Sequence, residues 1–173
     1  MNVLIFLLCS TLVSSVTADV HLYDDTICRS GSTSCTNSAE GGCCVSGTPG
    51  NSYASAQALI TSGGASFDII TTAYSFNGDT SQCGNRAGSN ENQCWNAGFN
   101  NAIWAASYVA DRGLKVRRAD GGECRVVDRM HSVVGDVRYT ITMANHTEAI
   151  GKYRGTDEMK KYIVDNAEFT TDL

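Results

Sequence analysis

Residues 137–143 read Val-Arg-Tyr-Thr-Ile-Thr-Met, and this stretch decides the fold class. Val137, Tyr139, Ile141 and Met143 alternate with Arg138, Thr140 and Thr142. Successive side chains of a strand point to opposite faces, so the pattern predicts a strand with one buried and one wet face. Gly135-Asp136 stands before it. Glycine tolerates the backbone angles of a tight turn, so a hairpin with residues 131–134 is expected. Downstream the period changes. Met159, Tyr162, Ile163 and Asn166 recur at helical spacing, Thr156 can cap, and Asp157 and Glu158 occupy the first turn, where the helix dipole favours acids. A small amphipathic helix laid on the sheet is predicted there. A second short helix is expected from Asn145, with Glu148 completing a capping box.

Upstream, the β-branched and aromatic run 67–76 (FDIITTAYSF) predicts a strand, ended by the turn signal Asn77-Gly78-Asp79. Val20 to Tyr23, Ile103 to Val109 and Cys124 to Asp128 read as further strands. Residues 28–52 are rich in Ser, Gly, Thr, Asn and Cys and read as loop that disulfides must order. The expected fold class is α+β: a mostly antiparallel sheet with short C-terminal helices, stabilised by disulfides.

The N-terminus sets the compartment. Residues 3–13 (VLIFLLCSTLV) are apolar but too short to span a bilayer, and small side chains follow up to Ala18. This is the pattern of a secretory signal cut after Ala18. It predicts an extracellular chain of one domain, residues 19–173, with no transmembrane segment. Cys9 leaves with the signal, and Cys28, Cys35, Cys43, Cys44, Cys83, Cys94 and Cys124 remain. An oxidising compartment should join six of them in pairs and leave one over. Adjacent Cys43 and Cys44 should reach different partners. No C-x2-C pair is present and no histidine stands at ligand spacing, so neither metal nor cofactor is implied.

Charge narrows the partners. The formal net charge is −5. The acids dominate residues 19–110, and the later residues are balanced. No basic surface is implied, which argues against nucleic acid. Enzyme signatures are absent: there is no G-x-S-x-G elbow, no H-E-x-x-H helix and no marked pair of acids, so no catalytic residue is assigned. Asn145-His146-Thr147 is a glycosylation sequon. Lys115-Val116-Arg117-Arg118 resembles a dibasic processing site, with cleavage after Arg118. The candidate binding residues are Trp95, Asn96, Phe99 and Asn100. Flat apolar rings beside amides suit sugars, whose C–H faces pack on rings while their hydroxyls need paired donors and acceptors.

The spacing Cys28-x6-Cys35-x7-Cys43-Cys44 resembles that of small secreted cysteine-rich fungal proteins related to a mushroom glycan-binding lectin. The similarity extends through Ala73-Tyr74, Gly78, Cys83-Gly84, Cys94 and the Trp104 strand, over about residues 20–110. The resemblance implies glycan recognition, a mixed sheet-and-helix fold and homodimers. Three functions follow as expectations. The first is a secreted, lectin-like binding protein for glycans or a host-surface protein. The second is an effector or toxin acting on host or competitor cells. The third is a small secreted hydrolase.

Overall fold

The computed structural model describes residues 16–47, 52–62, 68–91, 94–98, 102–111, 124–153 and 156–173. Its strands are β1 (Thr17–Tyr23), β2 (Ser32–Ala39), β3 (Cys43–Val45), β4 (Ser55–Ser62), β5 (Asp68–Ser75) and β6 (Asn85–Glu91). They continue as β7 (Trp95–Asn96), β8 (Ala105–Asp111), β9 (Cys124–Val126), β10 (Arg129–Val134), β11 (Val137–Thr142) and β12 (Phe169–Asp172). Between β11 and β12 lie a 3-10 turn (Met143–His146) and the helices α1 (Thr147–Tyr153) and α2 (Asp157–Asp165).

The strands form two sheets. A seven-stranded sheet runs β12-β11-β10-β2-β1-β4-β7, and a five-stranded sheet runs β6-β5-β8-β3-β9. Among the described residues all of the strand pairings are antiparallel except β3 with β9. The class is therefore mostly β rather than α+β. The two short helices pack at one end of the larger sheet, against β10 and β11. Among the described residues no helix is long and apolar enough to cross a membrane.

The main core lies between the sheets. Val20 and Leu22 of β1, Ala56 and Ala58 of β4, Ile69 and Ala73 of β5, and Ala106 and Tyr108 of β8 all point into it. Alanine recurs through it, at Ala18, Ala56, Ala58, Ala73, Ala97, Ala106 and Ala110. A second cluster, Met130, Ile141, Ile150, Met159 and Ile163, buries the helices against β10 and β11. A third, Cys43, Val45, Trp104 and Ala105, forms on the smaller sheet.

The hairpin forms as the alternating pattern requires: Gly135 has φ 63° and Val134 pairs with Val137. The helix α2 buries Met159 and Ile163. Other expectations are corrected. Residues 28–52 are not all loop, since they carry β2 and β3. The face of β11 expected to be wet holds Thr140, which is buried. The Asn145 capping box does not form. Residues 143–146 make a 3-10 turn, and the Asn145 amide donates to Glu168 Oε1 at 2.8 Å. A glycan on that nitrogen would leave one N–H for the bond.

Three disulfides form, Cys28–Cys94, Cys35–Cys44 and Cys43–Cys83, and Cys124 is free. Cys43 and Cys44 do reach different partners. Cys35–Cys44 ties the two sheets through the core, and Cys28–Cys94 pins the β1–β2 connection to the segment before β7. Each typically contributes ~2–4 kcal/mol, mainly by restricting the unfolded chain.

The expected signal cut falls inside β1. Val16 and Ala18 are buried, and Thr17 pairs with Ala39 and Ser62. The Tyr108 hydroxyl lies 2.9 Å from the Val16 carbonyl and 2.8 Å from that of Ser38. A chain starting at Asp19 thus keeps an acceptor for Tyr108 and the strand pairings of 19–23.

Candidate functional site

The β1–β2 connection is a braced loop beside a cavity. Asp25 turns it by accepting from the backbone N–H groups of Ile27, Arg29 and Ser30 at 2.6–3.3 Å. Asp24 N donates to Gly31 O at 3.3 Å, and the Cys28–Cys94 bond fixes the loop laterally. Asp24 and Gly31 are therefore set at one end of β1 and β2 with little freedom. Opposite them stands the N-terminal end of α2.

Between these walls opens a cleft of about 500 Å3, lined among others by Asp24, Thr33, Tyr53, Met130, Asp157 and Lys160. Its floor is buried: Thr33, Tyr53, Met130, Met159 and Ile163. The Thr33 hydroxyl donates to the Tyr53 phenol at 2.8 Å, so the ring is held in place. The rim is exposed and polar, with Asp24, Ser52, Thr156, Asp157 and Lys160. Asp157 and Lys160 stand 3.2 Å apart and are exposed, a pair that costs little to separate. A cavity of this size suits a small ligand, and an apolar floor under convergent polar groups fixes its orientation.

The residues predicted for binding are only partly brought together. Trp95 and Asn96 form β7 on the edge of the larger sheet, paired with Ala56 and Ser55. Trp95 is half-buried, packs against the main core and lies so close to Gly88 that a Cβ there would come within 2.5 Å of its indole nitrogen. Asn96 is exposed, and its Oδ1 accepts from Gly98 N at 3.3 Å. Phe99, Asn100 and the dibasic Arg117-Arg118 lie outside the described residues. The cleft was not singled out as a site in the sequence. Its residues come from four separate stretches, and the local signals that Thr156, Asp157, Met159 and Ile163 carried were those of the helix.

Two further polar clusters brace the fold. Glu168 accepts from Thr142 N and Oγ1, Asn145 Nδ2 and His146 Nε2 at 2.5–3.2 Å. Those bonds, from Thr142 first and then Asn145 and His146, hold its carboxyl down at about 2. His146 Nδ1 meets the Tyr162 hydroxyl at 3.0 Å, which locks α2 to the 3-10 turn. A smaller cavity of about 320 Å3 lies beside it. The second cluster is on the face of the larger sheet opposite the core. His21 and His131 lie with ring centroids 5.0 Å apart and their planes tilted by 40°. His131 Nε2 meets Ser34 Oγ at 2.8 Å and its Nδ1 meets Thr140 Oγ1 at 2.9 Å. Burial, and then Arg138 and Arg129, pull His21 down to about 3. Burial, then His21 and the same arginines, pull His131 down to about 2. Both rings are neutral.

A family model described as ARB_05566_N, an N-terminal domain, matches residues 19–131. The chain belongs to that family. No curated protein and no solved structure matches it. The ARB_05566_N match takes in all seven cysteines beyond residue 18 and both sheets through His131 of β10. It includes one wall of the cleft, Asp24, Thr33, Tyr53 and Met130. The other wall, on α2, lies past its end.

Proposed function

We propose that this chain is a secreted binding protein that holds carbohydrate in the cleft between the β1–β2 connection and α2. The observation that carries the reading is the lining of that cleft. Tyr53, Met130, Met159 and Ile163 give the cleft an apolar floor for C–H groups. The carboxylates of Asp24 and Asp157, the hydroxyls of Ser52 and Thr156 and the Lys160 ammonium supply donors and acceptors for sugar hydroxyls. The Cys28–Cys94 disulfide braces the loop that carries Asp24, so little ordering entropy is lost on binding. The edge at Trp95 and Asn96 is the competing position for the same activity.

A glycan array probed with the oxidised protein tests the reading. Retention on at least one glycan is expected, and the double change Asp24→Asn with Asp157→Asn should weaken it about tenfold or more, as loss of charge-assisted hydrogen bonds implies. Trp95→Ala should leave retention unchanged. Loss with Trp95→Ala alone would move the site to the β7 edge. A blank array would end the carbohydrate reading and favour a protein target on another cell.

A further inference from the structure

The free thiol is not isolated. Cys124 of β9 pairs in register with Cys43 of β3, and Cys43 is bonded to Cys83. The Sγ atoms of Cys43, Cys83 and Cys124 all lie within 4.8 Å of one another. Three sulfurs so placed, one reduced and two joined, are the reactants of a thiol–disulfide exchange that needs no external oxidant.

We propose that Cys43, Cys83 and Cys124 form an exchange site in which Cys43 alternates between Cys83 and Cys124. The Cys124 thiolate attacks Cys43 Sγ. A Cys43–Cys124 bond forms, the Cys43–Cys83 bond breaks, and Cys83 leaves as a thiolate that takes up a proton. One disulfide and one thiol stand on each side, so electrons balance. Adjacent strands of a sheet lie ~4.8 Å apart, inside the Cα–Cα range a disulfide accepts, so the register brings Cys43 and Cys124 within bonding reach. Cys83 sits in the β5–β6 connection beside exposed Ser81 and Gln82. Exchange therefore moves the free thiol from a strand to an exposed loop and unties that loop from β3.

The environment of Cys124 sets the rate. Burial, and then the Asp79 carboxylate, push its thiol up. Arg125 does not offset this, because its guanidinium is turned to the Thr36 carbonyl at 2.8 Å and to Asp128 at 3.4 Å. The other elements at the cluster bring Val45, Trp104 and Ala105, which carry no charge, and Tyr74, whose hydroxyl is paired with Ser107 Oγ at 3.0 Å. The attacking species is the thiolate, so exchange is slow near neutral pH and accelerates toward pH 9.

Trypsin gives a clean readout. It cuts after Arg29, Arg86, Arg118 and Arg125, so Cys35, Cys43, Cys44 and Cys83 share one peptide, 30–86, and Cys124 lies in the heptapeptide 119–125. The oxidised protein is held at pH 6 and pH 9, alkylated, acidified and digested without reduction. At pH 6 the heptapeptide should be free and alkylated. At pH 9 a fraction should be linked to peptide 30–86 while the intact protein keeps the mass of a monomer. Cys83→Ser should yield the linked peptide fully, with no thiol left to alkylate. A heptapeptide that stays free and alkylated at both pH values overturns the proposal, as does linkage found only in a disulfide-bonded dimer. The native protein's pH comparison decides alone should Cys83→Ser not fold.

Discussion

At the scale of single residues, His131 shows how a sheet face can be dry without being apolar. A neutral imidazole has one donor and one acceptor nitrogen, and each hydroxyl can rotate to be either, so Ser34 and Thr140 satisfy both ring nitrogens whichever tautomer is present. The arrangement has a pH signature. His21 and His131 sit well below the ordinary histidine value in the fold, with the same causes for both: burial first, then nearby cations. Between the unfolded value of about 6.5 and the folded values, the unfolded chain binds more protons than the native one. Stability is therefore full above that range and falls as pH drops through it, by at most about 1.4 kcal/mol per pH unit for each ring. The Glu168 carboxyl, also held low, begins to lose its contribution only as pH falls below the ordinary carboxylate value of 4.5, so between pH 7 and pH 5 the slope comes from the histidines and not from Glu168. Thermal midpoints should fall between pH 7 and pH 5. His131→Gln keeps a donor and an acceptor but cannot titrate, and should flatten that slope. An unchanged slope would show that His131 does not contribute to it.

At the scale of elements, what was legible depended on where an element's stabilisation comes from. β11 and α2 are announced by their alternating and helical periods, and β5 by its β-branched and aromatic run. β2, with the sequence Ser-Thr-Ser-Cys-Thr-Asn-Ser-Ala, carries no large apolar side chain. It is nevertheless central, because β1 and β10 supply its backbone partners and Cys35 anchors it in the core. β6 is largely exposed and exists through its pairing with β5. Such strands are determined by neighbours distant in sequence, and no local pattern reports them. The cleft was illegible for the same reason: Asp24, Tyr53, Met130 and Asp157 meet only after folding. The helix α2 is the contrary case and allows a firm prediction. Met159 is 3% exposed and is packed with Met130, Ile141 and Ile163. Met159→Ala should cost about 2–4 kcal/mol, because the cavity adds to the lost transfer energy. Denaturant unfolding measures it, and a cost below about 0.5 kcal/mol, the size of a surface change, would mean that α2 is not docked as described.

At the scale of the whole molecule, the family match and the folded unit do not coincide. The ARB_05566_N match ends at His131, in the middle of β10. On one side β10 pairs with β2, and on the other with β11, which lies beyond the match. Residues 132–173 also supply Ile141, Ile150, Met159 and Ile163, which cover Met130, and the α2 wall of the cleft. Removing them leaves the half-strand 129–131 with an open edge and uncovers the apolar patch around Met130. It also removes the Thr140 partner of His131, so that ring must find water or stay unpaired. The main core between the sheets draws all of its buried members from residues 16–127 and keeps the Cys28–Cys94 and Cys35–Cys44 bonds. A chain of residues 19–131 should therefore fold with those disulfides intact, but with a thermal midpoint several degrees lower and with binding of a hydrophobic dye. It should also lose any retention on glycans that Asp24→Asn with Asp157→Asn weakens. Equal midpoints for the short and full chains would show that β11 and the helices contribute nothing to the stability of the sheets. Retention by the short chain would place the site wholly within residues 19–131.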